Sequence, residues 1–306
     1  MMTLLYFFKW FFIGLISLAF LLSFLIYVIA PRFIIETSHP LLKEKLNEDS
    51  NPSEDSPGRY IHITTEDQYD LEAFWAYNTT AQNVGTVILI HGITKTKEIF
   101  QPLSRYLTQN GFHTVALDLR AHGKSQGKYT TFGFQEKKDI SRLVDFLEKE
   151  GHNNIGIWGQ SLGGATSIQA MAYDKRLKFG VIESTFSSMK NIVHVYFKHY
   201  LGFNYKPLSS YITWRAGEIG GFDPNSIIPS EDCKQIDQPI LMVHGKKDKK
   251  ISIKYGQRNF KNLKSKIKQF IAVDNANHVN VWEMAGNQKY FDKVIAFIKS
   301  IPTKSI

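Results

Sequence analysis

Cysteine is almost missing from this chain. Cys233 stands alone among 306 residues, so no disulfide framework and no cysteine-built zinc site can form. Low hydrophobicity is missing too. With 43% hydrophobic residues the chain carries enough apolar side chains for a core, which excludes disorder as its general state. No zinc-finger or RNA-binding signature accompanies its net charge of +9, so no nucleic-acid partner is expected. The positive charge is dispersed, with one cluster at Lys246, Lys247, Lys249 and Lys250 and another at Lys261, Lys264, Lys266 and Lys268. Both suit solvated faces or contact with anionic headgroups.

Long apolar runs occur in one place only. Trp10 to Ala30 reads WFFIGLISLAFLLSFLIYVIA, with no charge between Lys9 and Arg32. Twenty or so apolar residues match a hydrocarbon core ~30 Å thick. The run exceeds the 7–15 residues of a signal-peptide core, and Pro31 follows the one conceivable cleavage site. It is therefore expected to remain as a single-pass membrane anchor over residues 1–35. The catalytic domain is expected on the extracytoplasmic side. Residues 36–58 are charged and contain Pro40, Pro52 and Pro57, which predicts a linker. The globular domain is expected over 59–306.

In that domain strand and helix patterns alternate. Two opening strands, near 60–64 and 71–77, precede a continuous β-branched run, Val84 to Ile90. Further strands are predicted at about 113–118, 154–158, 179–182, 239–243 and 269–273. Helical periodicity intervenes, as at Ile140, Leu143, Val144 and Leu147. Eight strands in this order predict an α/β fold with a mostly parallel sheet and helices on both faces. Active sites of such sheets lie beyond the carboxyl ends of the strands.

There the chemistry-bearing residues collect. Gly159-Gln160-Ser161-Leu162-Gly163 falls between a strand and a helix, the context in which G-x-S-x-G marks a nucleophile. Serine needs a base, and His278, in the loop after the last strand, is the candidate. The base needs an acid to hold its tautomer. Asp248, after the strand ILMVH, is favoured over Glu183 at the end of the preceding strand. Asp274 reads as a loop residue, and His91, His122 and His244, each followed by glycine, read as structural. The oxyanion would meet the backbone N–H groups of Leu162 and of Ile93, with Thr94 as neighbour.

On these residues the chain resembles the α/β-hydrolase superfamily, in its serine-aminopeptidase-like and lysophospholipase-like branch. The matching pieces are LIHGIT (89–94), DLRAHGKSQG (118–127), GFQEKKD (133–139), WGQSLGGA (158–165), VIESTFSSM (181–189), ILMVHGKKDKKI (240–251) and NH (277–278). Membrane-tethered acyl hydrolases of this branch look most similar. Ala121 departs from the family, which usually has glycine there. The resemblance implies an α/β-hydrolase fold and a Ser161–His278–Asp248 triad. It also implies an acyl-enzyme route to ester hydrolysis with neither cofactor nor metal. A peptidase on the same fold, or a catalytically silent tethered module, is the competing expectation. The stretch at about 185–229, with Val193, Tyr196, Phe197, Tyr200, Leu201 and Phe203, is expected to form a small cap insertion over a site for a small-molecule or lipid ester. The sequence is silent on oligomeric state.

Overall fold

A computed structural model describes residues 2–37, 57–202 and 205–302. The stretch expected as linker, 36–58, lies mostly outside these residues. Eight strands form one sheet in the order β1-β2-β4-β3-β5-β6-β7-β8. They are β1 Gly58–Thr64, β2 Asp70–Ala76, β3 Gly85–Ile90, β4 Phe112–Leu117, β5 Ile155–Gln160, β6 Leu177–Glu183, β7 Ile240–Gly245 and β8 Lys268–Val273. The β1–β2 and β2–β4 pairs are antiparallel and the rest parallel.

The strands read as their burial requires. GTVILI of β3 is buried at every position, because a central parallel strand is covered on both faces. β1 alternates exposed and buried residues, with Ile61 and Ile63 inside, as an edge strand with one wet face must. Helices α3 (Gln101–Thr108) and α11 (Asn287–Lys299) bury Leu103, Leu107, Phe291 and Val294 with Val87 and Leu89 in one core. Helices α4 (Glu136–Lys149) and α5 (Leu162–Tyr173) contribute Ile140, Leu143, Val144 and Ile168 to the other, together with Ile88 and Ile90. Two cores on two faces of one sheet define the three-layer architecture.

Two segments go beyond this frame. The N-terminal helix runs as α1 (Met2–Phe24), continues through a π-helical stretch at Leu25–Ile29, and ends as α2 (Ala30–Ile35). It is longer than the apolar run suggests. Between β6 and β7 the chain inserts α6 (Met189–Leu201), α7 (Lys206–Gly220) and the short α8 (Pro229–Asp232). Val193 of α6 is buried in the core beneath this insertion, and Tyr196 packs against that core half-buried. The side chains of Tyr200, Leu201 and Phe203 lie outside the described residues. Helix α9 (Ile253–Asn262) covers β7, and α10 (Val281–Ala285) leads into α11.

Candidate active site

The nucleophile candidate owes its position to a tight turn. Ser161 sits between β5 and α5 with φ 57° and ψ −114°, a backbone state that costs a non-glycine residue on the order of 1–3 kcal/mol. Its peptide is pinned to the end of β6. Ser161 N–H donates to the Glu183 carbonyl at 2.9 Å, and the Thr185 hydroxyl donates to the Ser161 carbonyl at 2.9 Å. The flanking glycines answer to close approach. A Cβ on Gly163 would lie 2.0 Å from the Ile90 carbonyl oxygen, and one on Gly159 2.2 Å from the Gly163 oxygen.

His278 is carried by the loop after β8. Asn277 and Asn280 shape that loop through Asn277 N–H to Asn280 Oδ1 (2.7 Å) and Val279 N–H to Asn277 Oδ1 (2.9 Å). The imidazole Nε2 lies 3.0 Å from Ser161 Oγ, and Nδ1 lies 2.7 Å from Asp248 Oδ2. Asp248 is fully buried at its side chain. Burial opposes its ionisation, but the nearby His244 imidazole and hydrogen bonds from His278 and the Ile251 N–H outweigh that and hold its pKa at about 2. It is therefore a carboxylate at neutral pH and an acceptor only. That fixes the imidazole: Nδ1–H donates to Asp248, and Nε2 faces the serine as the base.

The other candidates have distinct surroundings. Leu162 is the first residue of α5, where helix N–H groups have no intrahelical partner. Ile93 follows β3, half-buried, next to Gly92, whose Cα approaches the serine so closely that an added Cβ would sit 3.3 Å from Ser161 Cβ. Glu183 does not meet His278. Its buried carboxylate accepts from Trp158 Nε1 (2.8 Å), Trp282 Nε1 (2.9 Å), Tyr290 Oη (2.5 Å) and Gln160 Nε2 (3.2 Å). Asp274 is exposed and paired with Lys246 at 2.7 Å. His91 Nε2 accepts from Leu119 N–H at 3.1 Å, and its Nδ1 meets the Gly92 carbonyl at 2.8 Å.

Two features are invisible to motif reading. His244 touches Asp248 at 3.5 Å while bonding the Ile251 carbonyl at 2.8 Å, so it helps hold the acid. Its place four residues before Asp248 at a strand end was the available signal. The Glu183 cluster gathers residues from β5, β6, α10 and α11, and no sequence spacing announces it. Among the described residues no group of carboxylates, histidines and cysteine has the arrangement of a metal site.

A family model described as serine aminopeptidase, S33, matches residues 81–203. The uncharacterized protein YqkD of Bacillus subtilis strain 168 is 26% identical over 79% of this chain and 84% of its own length. The esterase Pf2001 of Pyrococcus furiosus superposes with a TM-score of 0.66 at 25% identity, covering 80% of this chain and 91% of that one. A thiohydrolase, aneE, of Aspergillus aculeatus is 33% identical over about a third of each chain. The chain belongs to the α/β-hydrolase superfamily, and these matches support hydrolase activity in general.

Proposed function

We propose that the chain is a membrane-anchored serine hydrolase of carboxylic esters. The observation that carries the reading is the line Ser161 Oγ–His278 Nε2–Asp248 at 3.0 and 2.7 Å, with the serine on a strained turn. Ser161 Oγ attacks the ester carbonyl carbon as its proton passes to His278 Nε2. The Leu162 and Ile93 amides receive the oxyanion. The alcohol departs with the proton from His278, leaving an acyl-serine. Water then attacks, gives its proton to His278, and the acid leaves as the proton returns to Ser161.

The anchor reading is supported by exposure. Leu5 to Leu25 are exposed at every position, so no protein covers these apolar side chains. Leu5–Ile35 is long and apolar enough to cross a membrane. A signal sequence has the same composition, but cleavage after Ala30 would cut inside a helix whose Pro31 and Ile35 are buried on the domain.

The test is fluorophosphonate labelling with ester and aminoacyl-amide turnover. The wild type should be labelled and hydrolyse p-nitrophenyl esters; Ser161→Ala should do neither. Equal labelling of both would remove the nucleophile assignment. Preference for aminoacyl amides would move the reading to a peptidase, which the matched family model favours.

A further inference from the structure

The N-terminal helix leaves the domain at the active-site edge of the sheet. From Ile26 onward its side chains begin to be covered. Ile35 is fully buried, and its carbonyl accepts from Thr130 N–H at 2.9 Å. The Thr37 hydroxyl donates to the Ala121 carbonyl. Thr130 and Ala121 follow the carboxyl end of β4, and helix α7, against which α2 packs, is inserted beyond the carboxyl end of β6. Ser161 and His278 lie beyond the carboxyl ends of β5 and β8 at this same edge.

Length then fixes depth. The helix Leu5–Ile35 has 31 residues, or ~46 Å at 1.5 Å per residue, against a hydrocarbon core of ~30 Å. Its uncovered part, Leu5 to Leu25, is about 31 Å long, the length of that core, with Lys9 about one turn from its outer end, where a lysine can reach the headgroups. On that match the covered part would start at headgroup level. Tyr27 lies at that boundary, and the Arg215 guanidinium of α7 stands 4.2 Å over its ring.

Helix α7 has two faces. Ser209, Ile212, Thr213, Ala216 and Gly217 are buried. Pro207, Tyr211, Trp214 and Glu218, at i, i+4, i+7 and i+11, are exposed. Tyr211 and Trp214 are 39% and 49% exposed with ring centroids 5.7 Å apart. Exposed Trp and Tyr, apolar in body and polar at one end, are the side chains of a membrane–water interface. Beside them the half-buried Arg215, stacked on Tyr27, adds a guanidinium charge that suits a lipid phosphate. Lys247, Lys249 and Lys250 are exposed beyond the carboxyl end of β7, adding positive charge at the same edge. Glu218 is exposed on the same face, a charge that suits contact at headgroup level and not deeper.

We infer that the exposed face of α7, Tyr211 and Trp214 with Arg215, docks on the phospholipid headgroup layer of the bilayer that α1 crosses, so the active-site mouth faces the leaflet and takes its ester from it. This rests on the anchor reading above and adds to it an orientation and a lipid class of substrate.

The test uses the full chain in phosphatidylcholine–phosphatidylglycerol vesicles, with Cys233 left in place because it is buried. An environment-sensitive thiol dye is placed in turn at Trp214→Cys, at Tyr211→Cys, at Leu15→Cys in the anchor, and at Tyr173→Cys. Tyr173 is exposed at the end of α5, on the opposite edge of the sheet. Dye at 211 and 214 should lose most of its emission to lipids spin-labelled at the headgroup. Dye at 15 should lose it to lipids spin-labelled in mid-chain, and dye at 173 to neither. If 211 and 214 behave like 173 while 15 is quenched, the docking surface is wrong and the anchor stands. If 15 is unquenched as well, both fall.

Discussion

At Asp248 and Glu183 two carboxylates 65 residues apart in the chain divide their duties through their partners. Asp248 faces His278 and two backbone N–H groups. Glu183 is closed in by two indoles and a phenol, and burial pushes its pKa up. Asp248→Asn should therefore lower kcat by about 10⁴, as the same change does in a serine protease. Glu183→Gln should leave most of kcat and lower stability by about 1–3 kcal/mol, since an amide cannot accept every one of these donors. Steady-state kinetics and denaturant melts of the two variants check the split; a reversed ranking moves the acid to Glu183. Ala121 has φ 61°, a left-handed state costing about 1 kcal/mol without glycine. Glycine recovers that and loses part of it through chain entropy. Ala121→Gly should raise Tm by about 1–2 °C, leaving activity intact.

Between elements, the turns after β3 and β4 are joined by His91 and His122, whose rings lie 4.8 Å apart. Burial lowers the pKa of His91 to about 4, and burial with the neighbouring His91 lowers that of His122 to about 3. The unfolded chain takes up these protons first, near 6.5. Stability from the pair is complete above that pH and drains away as pH falls towards 4. His91 alone accounts for about 3 kcal/mol of that slope. Urea midpoints of the detergent-solubilised chain should fall steeply between pH 6.5 and 4, and less steeply in His91→Gln. An equal slope in both would place the pH dependence elsewhere. The lysine clusters also separate at this scale. Lys246 to Lys250 follow the carboxyl end of β7, whereas Lys268 opens β8 at the other edge and bonds the carbonyl of Leu263 at 2.7 Å.

For the whole molecule, the apolar helix is two things in one length. Leu5 to Leu25 are exposed, while Pro31 is buried and Ile35 belongs to the domain's core. A chain lacking 1–25 should be soluble and hydrolyse soluble esters at the wild-type rate. A chain lacking 1–36 should lose stability by about 2 kcal/mol or more, the worth of burying an Ile side chain. Sedimentation, ester turnover and thermal melts distinguish them; equal stability of the two truncations would detach α2 from the fold. The eight strands and the placement of Ser161, Asp248 and His278 after three of them were legible in the sequence, because period-2 and period-3.6 burial and glycine-flanked turns are local properties. The partners of Glu183 and the seating of Tyr27 under Arg215 were decided by the tertiary structure. Each joins residues from separate elements, and only the stacking of helices on the sheet brings such groups within hydrogen-bond or ring-contact distance.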